Sequence, residues 1–406
     1  MERKVLFKRF IWFIGMVLMS LILESFNPIP AYAIPAFARK YNADCSMCHY
    51  PNVPRLNSFG HEFRRAGYRT AEEFDKDQDI TEVGNFLAAR SRARYNYNNA
   101  ENGDIESQFQ FHDATLFYAG SMTRNLSSFA ELEFEPEKDE TEIGLVAHIG
   151  GVFGKPDHYS TFRVGQFHVI SREGFGGFDR PTGISTASIL SDDLTADGVP
   201  FKIGEDQRGL ELTHVFKRSR LIAQILNGVD EEGKGTADDT NTAKDYAFAF
   251  EQILDDLASG FTLYGYWGSW FDNEDPAIRN RAGFARYALT GNKIFPGVLG
   301  GNFELMTGYV RSQDSAPSAL GGNVQGNAFF VEIEDYFDRH NFTVLARYDF
   351  IDPDVDEGND RKGRWTIGYV RTLQSYLRLA VETNITQKDA DDSTDYGATG
   401  ELMVNF

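Results

Sequence analysis

Over residues 84–406 hydrophobic and polar positions alternate in stretches of about 9 to 14 residues, separated by polar connections, the period of β-strands with one apolar and one polar face. Phe342, Val344, Ala346, Tyr348 and Phe350 alternate with Thr343, Leu345, Arg347 and Asp349; Leu377, Leu379, Val381 and Ile385 alternate with Arg378, Glu382 and Asn384. Charge keeps to one face. Glu131, Glu133 and Glu135 alternate with Ala130, Leu132 and Phe134, which predicts three carboxylates in a row on the polar side. Two stretches, 108–119 and 160–169, change phase, and their facing stays undecided. About sixteen strands fit, an even number suited to a closed antiparallel barrel.

The connections have a parity. Short ones fall around Thr123 and at 155–159, 217–219, 256–259, 338–340 and 373–374; longer, acidic ones lie between them, at 136–142, 172–205, 230–244, 351–362 and 388–395. A membrane barrel with short turns at one rim and long loops at the other predicts this, whereas a soluble sandwich does not. The stretch 290–300 reads as an exception. Tyr396, Ala398, Gly400, Leu402, Val404 and Phe406 alternate to the last residue, as expected of a closing strand. The expected fold class is all-β, an outer-membrane antiparallel barrel of about sixteen strands at 79–406 behind a short helical segment at 34–78.

The N-terminus reads as an address. Arg3, Lys4, Lys8 and Arg9 precede an apolar stretch at 10–23, and Ala31-Tyr32-Ala33 supplies a small-x-small cleavage pattern, so residues 1–33 are expected to be a secretory signal peptide. An uncleaved anchor is the alternative. No later apolar run approaches the 18 residues a spanning helix needs, which excludes a polytopic helical membrane protein.

The only two cysteines of the 406 residues stand in Cys45-Ser46-Met47-Cys48-His49, the C-x-x-C-H spacing of c-type haem attachment. Two thiols add across the two vinyl groups of one porphyrin, and the adjacent imidazole reaches the iron as axial ligand. The site expected is therefore one covalent haem c on Cys45 and Cys48, with His49 on the iron. A thioredoxin-type redox pair and a zinc site completed by His61 are the alternatives. Residues 54–66 read as a helix begun by a proline and stopped by Gly67, with Leu56, Phe59 and Phe63 on one face suited to a porphyrin edge. His61 is the nearest candidate for the sixth iron ligand, although helical spacing turns it away from that face; the alternative is a solvated or propionate-pairing histidine. Met122, His148, His158, Met306 and His340 are more distant candidates. A segment of this size is too small to bury a haem alone.

Charge adds a docking expectation. Residues 34–70 carry six basic and two acidic side chains, while the whole chain is at −20. A basic segment is thus expected to dock in or at the mouth of an acidic barrel. The same acidity removes nucleic acid from the possible partners, since phosphate contacts need clustered Lys and Arg.

The string Phe37-Ala38-Arg39, then Cys45, Cys48, His49, Pro54, Leu56-Asn57, Phe59-Gly60, Phe63 and Gly67-Tyr68, followed by a barrel, resembles the fused monohaem cytochrome-porins of the bacterial outer membrane. Gly165-Gln166-Phe167-His168, Ser171-Arg172-Glu173 and Asn227-Gly228 resemble positions of anion-type porins. The resemblance implies a haem segment on the periplasmic side of the outer membrane or in the barrel lumen, with outer-membrane lipid around the wall. It implies a ferrous-iron oxidase-like activity, in which electrons pass from extracellular Fe(II) to a periplasmic carrier such as a soluble cytochrome. Where the iron-oxidising branch carries an aromatic, histidine-rich stretch after the haem histidine, this chain reads Tyr50-Pro51-Asn52-Val53. The alternatives are a transport porin with a haem-bearing plug or redox gate, and a soluble exported β-protein with an appended haem.

Overall fold

The computed structural model describes residues 36–406 apart from 51–52, 101–102, 104, 137–140, 170–180, 197, 231–233, 236–241, 258, 273–279 and 316–322. The expected signal peptide, Ser171-Arg172-Glu173 and the first part of the 172–205 connection lie outside the described residues.

Sixteen strands form one closed antiparallel barrel in which each strand pairs with its sequence neighbours and the last pairs with the first. They are β1 (Leu87–Asn99), β2 (Ile105–Ser121), β3 (Leu126–Pro136), β4 (Thr141–Lys155), β5 (His158–His168), β6 (Asp206–Phe216), β7 (Ser219–Leu226) and β8 (Asp245–Ile253). The second half comprises β9 (Gly260–Asp272), β10 (Asn280–Pro296), β11 (Asn302–Ser315), β12 (Asn323–Phe337), β13 (Phe342–Asp352), β14 (Lys362–Gln374), β15 (Leu377–Lys388) and β16 (Ser393–Asn405). Closure runs from Arg90 opposite Asn405 to Asn99 opposite Tyr396, so the terminal alternating strand seals the sheet. Most connections keep the expected parity, although 389–392 is no longer than the turns at the other rim, and the apparent exception dissolves: 290–296 are strand, and the turn is only 297–301, with Gly297 in the left-handed region at φ 75°.

The barrel is inside out relative to a soluble protein. On β13 Thr343, Arg347 and Asp349 are at most 2% exposed while Val344 between them is 41% exposed, so the polar face looks inward and the apolar face outward. Leu116, Ile143, Leu212, Leu289, Trp365 and Leu402 repeat this on other strands. The phase change in β2 is a β-bulge: Arg92 faces Asp113 and Ala93 faces Phe111, leaving His112 as the extra residue. Phe109 and Phe111 point outward before it and Leu116 after it, which a strict period of two forbids. In β5 the period is intact. Tyr159 and Phe167 point inward because apolar matter lies inside the barrel.

Two pieces of chain fill the interior. From the long-loop end, residues 181–205 turn inward instead of forming the external acidic loop expected from the sequence. Ile189, Leu190, Leu194, Phe201 and Ile203 pack on an apolar half of the inner wall that includes Tyr264, Tyr266, Phe284, Met306 and Phe330. Each large side chain so buried contributes roughly 1.5–3 kcal/mol. Polar wall residues hold the loop's backbone: Glu382 accepts from Ile184 N at 2.6 Å and Ser185 N at 3.0 Å, Asp349 from Ser188 N at 2.9 Å, and Asp314 from Val199 N at 2.8 Å. From the short-turn end comes the N-terminal segment, residues 36–86, with helices α1 (Ala36–Tyr41) and α2 (Ser58–Arg65).

Candidate functional site

The Cys45–His49 string forms one tight turn. Cys45–Met47 is a 3₁₀ turn, and the Cys45 carbonyl accepts from both Cys48 N at 3.1 Å and His49 N at 2.9 Å, which folds the two thiols and the imidazole onto one short arc. His49 Nδ1 donates to the Arg55 carbonyl at 3.0 Å. A carbonyl only accepts, so Nδ1 carries the proton and Nε2 bears the lone pair, the tautomer an iron-ligating histidine needs. This donor set fits a c-type haem. Burial pushes the Cys48 thiol up to about 12, with Cys45 adding to it, and burial followed by Asp44 raises the Cys45 thiol. No strand–helix–strand unit surrounds the pair among the described residues, as a thioredoxin motif would require. The one group of three such side chains with ligand atoms within 4.8 Å of one another, again among the described residues, is His112, Asp113 and Glu135. Cys45, Cys48, His49 and His61 are not gathered in that way.

Asn57, which entered the sequence reading only as part of the family resemblance, joins the turn to α2. Its amide donates to Ser46 O at 3.0 Å and Met47 O at 3.1 Å, its backbone N–H donates to Cys48 O at 2.9 Å, and its Oδ1 caps the helix by accepting from Gly60 N at 2.9 Å. An asparagine just before a helical run is the sequence signal that marks it. Gly60 then abuts the turn so closely that a Cβ would collide with the Cys48 carbonyl oxygen. The helix is accordingly shorter than expected. It begins at Ser58, because Leu56 is still paired with His49 in a short bridge.

The expected apolar face also has a different use. Leu56 is off the helix, and Phe63, 4% exposed, packs with Tyr68, Phe129 and Val146, docking the segment onto β3 and β4 rather than fronting a porphyrin. Phe37 stacks on Tyr68, and Tyr68 on Phe129, with ring centroids 5.7 and 6.0 Å apart. Phe59 remains partly exposed and stacks on Phe63. His61 is buried, not solvated, and with Gly60 facing the turn it lies on the flank of α2 opposite Phe59 and Phe63. Of the other ligand candidates, His148 faces the segment, its ring 5.5 Å from that of Phe129. Met306 lies buried under the inserted loop, and His340 sits in a short turn. His158 opens β5 at a short turn and pairs with His214 at 5.6 Å.

Complementary charge helps hold the segment, and Arg55 and Arg65 engage carboxylates of the wall. Arg55 reaches across the lumen to Glu304 on β11 and to Glu334 on β12, the latter at 3.1 Å, with all three side chains nearly inaccessible. Arg65 pairs with Glu251 on β8 at 3.0 Å. Three more are used differently: Arg69 donates to the Arg124 carbonyl at 2.8 Å, Arg39 to Gly84 O at 3.1 Å, and Lys40 pairs with Glu73 inside the segment at 3.0 Å. Arg55 thus has two tasks: its carbonyl orients His49 while its guanidinium fixes the same turn to the wall. Thr182 of the inserted loop donates to Glu334 at 2.9 Å, so segment, wall and loop meet there. In the expected carboxylate row, Glu133 is neutralised by Arg90 at 2.9 Å and Arg92 at 3.0 Å.

No family model and no curated relative matches the chain. Solved structures similar to it include an anion-selective porin from Comamonas acidovorans, with 12% identity over 79% of this chain and 98% of that one and a TM-score of 0.56. Salmonella typhi OmpF, solved with daunomycin, shows 12% identity over 79% and 97% with a TM-score of 0.56. In-vitro folded OmpT of Vibrio cholerae shows 11% identity over 78% and 98% with a TM-score of 0.54. At such identities the likeness is one of fold, a porin-like antiparallel barrel.

Proposed function

We propose that this chain is an outer-membrane barrel of porin type whose lumen is closed at the periplasmic end by its own N-terminal segment, residues 36–86, and that the segment is a plug carrying one covalent haem c. Cys45 and Cys48 would hold the porphyrin and His49 Nε2 the iron. The outward apolar faces support the membrane setting: a sheet exposing Leu, Ile and Phe all round while burying Arg and Glu suits hydrocarbon outside. The short turns then face the periplasm. The observation that carries the haem reading is the Cys45–His49 turn, with His49 oriented by the Arg55 carbonyl and Arg55 itself clamped by Glu304 and Glu334.

Bound haem would supply one-electron redox chemistry at this position. The chain's own residues do the rest. Arg55 and Asn57 keep the turn rigid, Phe63 and Tyr68 seat it, and the wall limits the water that reaches it. In this reading the barrel passes small solutes when the redox-bearing plug is displaced.

A second reading, electron carriage from an extracellular donor such as Fe(II) to a soluble periplasmic cytochrome, is favoured by the filling of the lumen from both ends. Both readings are tested on haem-loaded protein extracted from membranes, with Cys45→Ala/Cys48→Ala beside it. Covalent c-type bands in the parent and their loss in the variant are expected; a parent without covalent haem refutes the haem plug. Rapid reduction by Fe(II) in stopped flow supports electron carriage from iron. Reduction by dithionite alone, with ion conductance in a planar bilayer that rises in Arg55→Ala, supports the plugged porin.

A further inference from the structure

The plug and the inserted loop enter the lumen from opposite ends, and hydrogen bonds join them at Arg55 and Thr182. Three side chains close a triangle there. Arg55 Nη1 donates to Glu334 Oε2 at 3.1 Å and to Thr182 Oγ1 at 3.4 Å, and the Thr182 hydroxyl donates to the same Glu334 oxygen at 2.9 Å. Arg55, Thr182 and Glu334 are 6%, 1% and 3% exposed, so water offers none of them a ready substitute partner. The triangle is tied in on both sides. On the loop side, Arg378 of β15 donates to the Thr182 carbonyl at 2.6 Å, and Ile184 N donates to Glu382 at 2.6 Å. On the plug side, the Arg55 carbonyl accepts from His49 Nδ1 at 3.0 Å. A line of contacts thus runs from the inserted loop, through the one residue Arg55, to the histidine of the Cys45–His49 turn.

We infer that this triangle latches the two occupants of the lumen to each other, so that undocking either one loosens the other. The inference rests on the plug of the proposed function but not on its haem. Chemistry sets the sign: the Thr182 hydroxyl serves a buried anion as donor and a buried cation as acceptor. Its loss leaves Glu334 one donor poorer and Arg55 one acceptor poorer, which weakens the plug's hold on the wall. Reciprocity then fixes the effect in the other direction. Whatever the seated loop adds to docking of the plug, the seated plug adds to docking of the loop, because the coupling is one free energy shared by both equilibria. The reach is limited by the other fastenings of the loop. Val199 N donates at 2.8 Å to Asp314, whose ion-pair partner is Arg286 on the neighbouring strand and not a residue of the plug. The latch therefore governs the part of the loop around 182–188, while the part around Val199 is held independently.

The test is hydrogen exchange in the folded, full-length protein, both haem-loaded and in a Cys45→Ser/Cys48→Ser background, with barrel folding checked by heat-dependent gel mobility. Thr182→Val removes the hydroxyl and keeps the shape, Thr182→Ser keeps the hydroxyl, and Arg55→Ala removes the plug's corner of the triangle. Thr182→Val should accelerate exchange about tenfold in α2 and the Cys45–His49 turn, to which Thr182 does not belong; that is the effect of about one hydrogen bond to a charged group. Thr182→Ser should stay near the parent. Arg55→Ala should accelerate exchange of the Ile184, Ser185 and Ser188 amides, all in the loop, and leave that of Val199 unchanged. In Arg55→Ala/Thr182→Val the plug should exchange no faster than in Arg55→Ala alone, since the latch can be broken only once. The inference is overturned if Thr182→Val quickens the loop alone, if Thr182→Ser behaves like Thr182→Val, or if the two effects on the plug simply add. Free exchange of residues 36–86 in the parent would instead refute the plug, and a parent without covalent haem would refute the haem alone, so the three failures are separate.

Discussion

Replacing Arg55 by alanine should release the plug while leaving the barrel folded. The guanidinium is 7% exposed and its partners Glu304 and Glu334 are each 2% exposed, so removing it strands two carboxylates in a site that water scarcely reaches. Breaking a buried pair by deleting one partner typically costs about 3–5 kcal/mol. Asn292, which donates to Glu304 at 2.8 Å, and Thr182, which donates to Glu334, soften the loss, so the lower end of that range applies. About 3 kcal/mol corresponds to a shift of roughly 10²-fold in the docked-to-undocked ratio. The assay is hydrogen exchange over residues 36–86, alongside planar-bilayer conductance. Exchange should accelerate by about that factor in α2 and the Cys45–His49 turn, strand protection should hold, and conductance should rise. The triple variant Arg55→Met/Glu304→Gln/Glu334→Gln should regain much of the protection, because no charge is left buried. Unchanged exchange and conductance in Arg55→Ala would refute the reasoning, since the clamp would then not be what holds the segment.

Other consequences are equally direct. Gly60→Ala should abolish covalent haem attachment without changing the heat-dependent gel mobility of the barrel, because the added Cβ collides with the Cys48 carbonyl; haem staining reads this. Arg347→Ala should free the inserted loop, since Arg347 donates to the Ser185 and Thr186 carbonyls, both at 2.9 Å, and pairs with Glu332 and Asp349; bilayer conductance should increase. Glu73, despite burial, is held below the ordinary carboxylate value of 4.5 by Thr70 N–H, Tyr41 and Lys40. A depressed carboxylate contributes stability above its ordinary value and loses it as pH falls through the depressed one. Exchange of α1 should therefore accelerate on acidification below about 4.5, and Glu73→Gln should weaken α1 and remove that pH dependence.

The barrel was legible in the sequence because its signals are local. A strand with hydrocarbon on one side and a polar interior on the other must alternate every second residue, and the parity of turns and loops follows from a chain that crosses back and forth. The Cys45–His49 spacing is local for the same reason: five consecutive residues carry the two thiols and the imidazole of the proposed haem site. Where local reading stalled, register decided. The phase change in β2 comes from His112 being bulged out opposite Arg92 and Ala93, a fact about the partner strand and not about β2 alone.

What fills the lumen belongs to the tertiary structure. Residues 181–205 look like any acidic surface connection until the apolar inner wall of β7 to β13 is assembled from residues up to about 160 positions away, and only then does turning inward bury Phe201 and Ile203. Phe63 has the spacing of a porphyrin face, yet Phe129 and Val146 claim it. Arg55 is one arginine among many in the chain. It becomes a clamp because Glu304 and Glu334, 249 and 279 residues later, are brought beneath it in a space that excludes water. Alternation tells which way a side chain points, but what it meets there depends on distant parts of the chain, and only closure of the barrel settles that.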